Sequence, residues 1–145
     1  MKICPFCDNP DVQSRVVVKN NLAFAFPTNI PITPGHMLVV PTRCVSTFDE
    51  LTQKEIDAVL SLRKKIKEAL IKAFNAEGFN YAWNEGVLAG QGVNHLHLHI
   101  VPRKEGDKGI LGYDPRKFLY RPGSRVESPL EELDEIVKLV KSNLI

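Results

Sequence analysis

The residues of this chain best equipped for chemistry are the three histidines of His95-Leu96-His97-Leu98-His99. Read as a β-strand, positions 95, 97 and 99 project from one face at about 6.5–7 Å per step, while Leu96, Leu98 and Ile100 turn toward an apolar core. Imidazole titrates near neutrality, so a row of them offers lone pairs, protons and metal-ligand nitrogens in one place. A single buried histidine is an ordinary core filler, but packing gains nothing from aligning three. The fourth histidine, His36, stands in Pro34-Gly35-His36-Met37-Leu38-Val39-Val40-Pro41. A second group is Cys4-Pro5-Phe6-Cys7, a spacing that serves one edge of a zinc tetrahedron or a redox-exchange pair. With Cys44 the chain has three cysteines, an odd set that reads as metal ligands or free thiols.

The elements that must position these groups follow from periodicity and turn chemistry. Arg15–Lys19 reads as a strand, Asn20-Asn21 as a turn and Leu22–Phe26 as its partner. Residues 27–35 form a proline-punctuated loop, and His36–Val40 is a third strand closed by Pro41. Thr52 and Glu55 fit a capping box, after which Ile56, Val59, Leu60, Ile66, Leu70 and Phe74 recur at helical spacing toward a stop at Gly78. Phe79–Trp83 and Asn94–Val101 read as the last strands, joined by the glycine-rich loop 84–93. After Pro102 an irregular stretch runs to about Glu127. It carries Lys104, Lys108, Arg116, Lys117, Arg121 and Arg125 around Phe118 and Tyr120, and reads either as a solvated loop or as an arm for distal phosphates. Ser128-Pro129-Leu130-Glu131 opens a final helix with a capping serine, proline at its first position and apolar Leu130, Leu133, Ile136, Val137 and Val140. Trp83 and Met37 read as core residues. The pattern predicts an α+β fold: an antiparallel sheet with one long central helix and a C-terminal helix.

Composition narrows the function classes. The 145 residues suit one domain with its own core, and the 43% hydrophobic and 25% charged fractions are those of a soluble protein. A formal charge of +2 implies neither a nucleic-acid polymer nor a membrane surface as partner. No basic-then-apolar leader opens the chain, and no apolar run approaches a membrane span, so a cytoplasmic location is expected.

The Pro34–Pro41 segment, the Asn84…Gly90-Gln91 loop and the His95–Val101 segment together resemble the histidine triad (HIT) superfamily over roughly residues 4–103. The resemblance implies a single HIT domain: a core at 1–103 with an N-terminal zinc knuckle, an irregular arm at 104–127 and a helix at 128–145. It implies a nucleotide hydrolase acting at the α-phosphate of dinucleoside polyphosphates or nucleoside phosphoramidates. His97 would be the nucleophile, His36 its accessory histidine, and His99 a contact to phosphate or the departing oxygen. Neutral imidazole is a competent nucleophile at pH 7, provided its other nitrogen holds the proton against an acceptor. Backbone N–H groups of Gly92 and Val93, with Gly90 and the Gln91 amide, would face the phosphate, and Asn84 matches a substrate-contacting amide. Two positions depart from the pattern. Gly92 replaces a hydroxyl residue, and Thr28 replaces the carboxylate or amide that meets the ribose diol. Relatives with a cysteine knuckle imply a structural zinc held by Cys4, Cys7, Cys44 and His95, with thiolate at position 44 where those relatives have imidazole. Magnesium would accompany a polyphosphate substrate, and a homodimer is expected. Two other readings share these residues: a nucleotidyl transferase or phosphorylase, and a nucleotide-binding module with little turnover.

Overall fold

A computed structural model of the chain describes residues 4–107 and 127–144. The chain begins with a short helix α1 (Pro10–Ser14), continues through β1 (Val18–Lys19), β2 (Ala23–Pro27) and β3 (Met37–Pro41), and enters the long helix α2 (Gln53–Phe74). Strands β4 (Gly78–Trp83) and β5 (Leu98–Arg103) follow, and α3 (Leu130–Ser142) ends the described part. The five strands pair antiparallel throughout in the order β1-β2-β3-β5-β4. This is the expected α+β architecture. Among the described residues no helix is long and apolar enough to cross a membrane.

Strand alternation divides the buried residues between two faces. Ala23, Ala25, Met37, Val39, Leu98 and Ile100 meet Val59, Leu62, Ile66, Ala69 and Leu70 of α2 and Ile136, Val137 and Val140 of α3. Burying each large aliphatic side chain there contributes about 1.5–3 kcal/mol. Phe24, Phe26, Leu38 and Val40 point to the opposite face, where Phe6 and Val12 of the N-terminal segment cover them. His99 pairs with Leu38 across β3 and β5 and so shares that second face. The histidines therefore lie on the side of the sheet away from α2, with the N-terminal segment as their roof.

The capping box at Thr52 and Glu55 forms in both directions, as its sequence pattern predicts. Other boundaries differ from the sequence reading. Helix α2 ends at Asn75, whose left-handed φ of 55° supplies the stop assigned to Gly78, and Gly78 instead starts β4. Leu60 is 46% exposed, off the buried face. The strand read over Arg15–Lys19 is only Val18–Lys19, because Asn9 caps Asp11 N–H and Pro10 opens a helix that consumes the chain up to Arg15. Pro129, not Ser128, occupies the N-cap of α3: the first helical bond runs from Leu133 N–H to Pro129 O at 3.1 Å, and Ser128 N–H donates to Asn29 O at 2.6 Å. Leu130 stays largely outside the core. The cations and aromatics noted between Lys108 and Arg125 lie outside the described residues.

Candidate active site and metal centre

The segment read as a strand over Asn94–Val101 enters the sheet only at Leu98 and continues to Arg103. Its ladder with β3 spans Val39↔Leu98 to Met37↔Ile100. Upstream, Leu96 N–H donates to Val45 O at 2.7 Å, and His95 Nε2 meets Pro41 O at 2.7 Å. These two carbonyls, at the end of β3 and just beyond it, hold residues 95–96 against the chain that follows β3. Phe6 packs against both His95 and His97, so the imidazoles stay on the face that the N-terminal segment covers. His95 is drawn toward the cysteines, while the rings of His97 and His99 stay together, 4.8 Å apart.

A carbonyl can only accept, so the hydrogen on His95 sits on Nε2 and its Nδ1 carries a lone pair. That nitrogen lies 3.2 Å from Cys4 Sγ and 3.5 Å from Cys7 Sγ, and Cys44 Sγ is 3.5 Å from Cys4 Sγ. The four donor atoms all lie within 4.8 Å of one another. Burial lowers the His95 pKa, keeping the ring neutral as a ligand must be. The sulfurs compete for charge. Burial, the hydrogen bond to Cys4 and the Cys4 charge push Cys7 up to about 12. Burial also raises Cys44, whereas at Cys4 burial is outweighed by N–H donors of Cys7 and Phe6 and by the neighbouring thiols, which lower it. Three sulfurs with one imidazole nitrogen is a donor set tetrahedral zinc takes. The residues fit the metal, with no ligand position left for water.

His97 is buried, and its Nδ1 donates to His95 O at 2.7 Å. Its Nε2 is therefore the lone-pair nitrogen. Burial lowers the His97 pKa, so the ring is neutral at pH 7. A second chain of bonds sets the opposite polarity on its neighbour. Ile32 N–H donates to His36 Nδ1 at 3.0 Å, which leaves the His36 hydrogen on Nε2. His36 Nε2 then donates to His99 Nδ1 at 3.0 Å, placing the hydrogen of neutral His99 on its own Nε2. One ring thus presents a lone pair and the adjacent ring a proton. Phe6, between the two knuckle cysteines, packs edge-on against His97 at 5.2 Å and also touches His95 and Phe26.

His97 and His99 line a cavity of about 180 Å³. Its walls include Phe6, Phe26, Leu38 and Val93, with Thr28 and Arg15 adding polar atoms. That is smaller than the roughly 300–1,000 Å³ sites of drug-sized ligands. A larger hollow of about 980 Å³ lies beside Lys19, Asn20, Thr42 and Lys141, but no histidine lines it, so the smaller cavity is where chemistry is possible. Thr28 Oγ1 accepts from Ile30 N–H at 3.2 Å. Gln91 is buried with its amide engaged: Oε1 accepts from Gly86 N–H at 2.7 Å and Nε2 donates to Ser46 O at 3.0 Å. Asn84 and Gly90 are buried at the two ends of this loop, and Gly92 is exposed. The carbonyls of Pro41 and Val45, the ring of Phe6 and the side chain of Arg15 escaped the sequence reading. Backbone carbonyls leave no trace in a residue pattern, whereas Arg15 had one, a lone cation against the apolar Val16–Val18 run.

Several known proteins are similar to this chain. A bis(5'-nucleosyl)-tetraphosphatase (asymmetrical) of Schizosaccharomyces pombe is 40% identical over 96 residues, 66% of this chain and 53% of that protein. An AP-4-A phosphorylase of Mycobacterium tuberculosis is 34% identical over 111 residues, 74% of this chain and 57% of that one. The matched part is thus a little over half the length of these two relatives. A zinc-bound histidine triad family protein of Mycobacterium smegmatis superposes with a TM-score of 0.72 at 25% identity, covering 97% of this chain and 91% of that structure. The family model described as HIT domain matches residues 9–106, from the first helix through the histidine strand, and the chain belongs to that family.

Proposed function

We propose that this protein is a nucleotide hydrolase that cleaves at the α-phosphate of dinucleoside polyphosphates or nucleoside phosphoramidates through a nucleotidyl-histidine on His97. The observation that carries this reading is the 2.7 Å bond from His97 Nδ1 to His95 O, which leaves the lone pair on Nε2 of a ring that lines the cavity. In the first step Nε2 bonds to the α-phosphorus while the bond to the bridging oxygen or nitrogen breaks. A departing polyphosphate oxygen leaves as an anion that accepts a hydrogen bond from His99 Nε2–H, which His36 keeps oriented, and a departing amine takes its proton from solvent. Water then attacks the same phosphorus and releases a proton to solvent, the phosphorus–nitrogen bond breaks, and a mononucleotide leaves with His97 neutral again. Backbone N–H groups of Gly92 and Val93 stabilise charge on the phosphoryl oxygens, while Gln91 and Gly90 hold their loop. Thr28 contacts the ribose and Asn84 supports the phosphate loop.

Zinc on Cys4, Cys7, Cys44 and His95 supplies structural cross-linking, since four protein ligands leave no site to activate water. Magnesium enters only as the counter-ion of a polyphosphate. The working unit is a homodimer formed from a single HIT domain per chain, a reading supported by exposed Leu60, Ile71 and Tyr81 on α2 and the β4 edge.

The test is intact-protein mass after brief mixing with a dinucleoside polyphosphate, avoiding acid, for wild type and His97→Ala. A nucleotide adduct and turnover confined to wild type are expected, and equal turnover by His97→Ala would refute the reading. The AP-4-A phosphorylase relative favours a second acceptor, inorganic phosphate instead of water. A nucleoside diphosphate replacing the mononucleotide when phosphate is added would select that reading.

A further inference from the structure

The geometry points to Arg15 as the base-reading residue of the nucleoside cavity, selecting a 6-oxopurine such as guanine over adenine. The inference rests on the nucleotide reading above and extends it to the identity of the base. Arg15 is 8% exposed and lines the cavity that holds His97 and His99. Its Nε is fully buried with no hydrogen-bond partner among the described residues. Ion pairs among the described residues join Arg43 to Glu55 and Arg103 to Asp107, leaving Arg15 out. Asp11 and Asp134 act on it through space without reaching contact, and burial still holds its pKa below the ordinary guanidinium value. A buried charge without a partner is among the most costly groups a fold can carry. Such a group at a cavity wall calls for a ligand acceptor.

The sheet order says which part of a nucleotide that acceptor belongs to. His99 stands on β5, Leu38 on β3, Phe26 on β2, and Arg15 just ahead of β1, all around one cavity. Three strand spacings of about 4.8 Å separate the two ends by about 14 Å, comparable to an extended mononucleotide. With the phosphorus at His97, the sugar and base run past Leu38 and Phe26 toward Arg15. A guanidinium has five donors and no acceptor. Guanine presents O6 and N7 side by side, a matched pair of acceptors for that fork. Adenine puts an amino donor beside N7, so a guanidinium there meets one acceptor and one opposing donor.

Titration calorimetry on the full chain with GMP, AMP and ribose 5-phosphate tests this for wild type, Arg15→Met and Arg15→Lys. Wild type should bind GMP about 5- to 150-fold more tightly than AMP, the discrimination of one bidentate base contact. Arg15→Met should bring GMP down to the AMP level and leave AMP and ribose 5-phosphate within about twofold, while its ligand-free melting temperature holds or rises because an unpartnered charge has gone. Arg15→Lys keeps the charge without the fork and should lose most of the preference, which carries the test if the methionine variant fails to fold. Equal wild-type affinities, or a preference that survives both substitutions, would overturn the assignment. A uniform loss on all three ligands would also overturn it, by showing that Arg15 serves the phosphate. If wild type binds none of the three, the nucleotide reading fails first and this inference falls with it.

Discussion

Gly35→Ala should be among the most damaging single-methyl additions to this chain, and two other glycines separate the reasons. Gly35 has φ = +91°, and a Cβ built there comes 2.9 Å from Phe74 Cε2 and 3.3 Å from Leu70 Cδ2. The left-handed backbone costs an L-residue about 1–2 kcal/mol. Overpacking against α2 adds about 1–3 kcal/mol, because the Phe74 ring must shift while fully buried Leu70 stands beside it. Gly86→Ala isolates the backbone contribution, since φ is +87° with nothing within 4 Å of the new Cβ. Gly78→Ala has neither cost and should change stability by less than about 1 kcal/mol, in either direction. For a chain of 145 residues, 1 kcal/mol shifts the melting temperature by about 3 °C. Calorimetry should therefore show losses of about 6–15 °C for Gly35→Ala, about 3–6 °C for Gly86→Ala, and little for Gly78→Ala. Gly35 precedes His36, so its alanine variant should also lose turnover as the His36–His99 bond is displaced, whereas Gly78→Ala should not. If Gly35→Ala and Gly78→Ala melt within 2 °C of each other, the packing of this turn against α2 is misread.

Protein purified without added metal should carry roughly one zinc per chain, the content of a single four-ligand site, and Cys44→Ala should reduce that severalfold. Mass spectrometry of the metal checks this, and zinc-free wild type with normal stability would remove the metal from the fold. Because Phe6 lies between Cys4 and Cys7 and packs on His97, metal loss should lower kcat even though His97 is intact. His36→Ala should reduce kcat by about 10–100-fold through misorientation of His99, with a smaller effect on KM, and steady-state kinetics would show the split. Glu55 accepts two bonds from Arg43 and one from Thr52 N–H, and these hold its pKa at about 2 against an ordinary 4.5. Its stabilising contribution is complete above about pH 4.5 and disappears as pH falls toward 2. The melting-temperature gap between wild type and Glu55→Gln should accordingly close across that window, and a gap independent of pH would contradict the assignment.

Local chemistry made much of this protein legible in one dimension. The capping box at Thr52 and Glu55, the apolar spacing of α2 and α3 and the alternation in β2 and β3 act over a few residues, so their outcome is written where they stand. The His-x-His-x-His run announced reactive imidazoles for the same reason. The division of labour among those imidazoles was not local. Strand alternation accounts for their alignment, but the carbonyl of Pro41, some fifty residues upstream, fixes the hydrogen of His95 on Nε2 and so leaves Nδ1 to the cysteines. The hydrogen on each ring is set by which partner can only accept or only donate, and those partners, His95 O and Ile32 N–H, are backbone atoms that no residue pattern records. Gathering Cys4, Cys7 and Cys44 around His95 Nδ1 needs the N-terminal segment folded over the sheet. Arg15 is the sharpest case. In sequence it is one cation next to a strand, while in the folded chain it lies buried at the cavity wall with its Nε unpartnered among the described residues, because only a closed tertiary structure takes away the water that would otherwise solvate it.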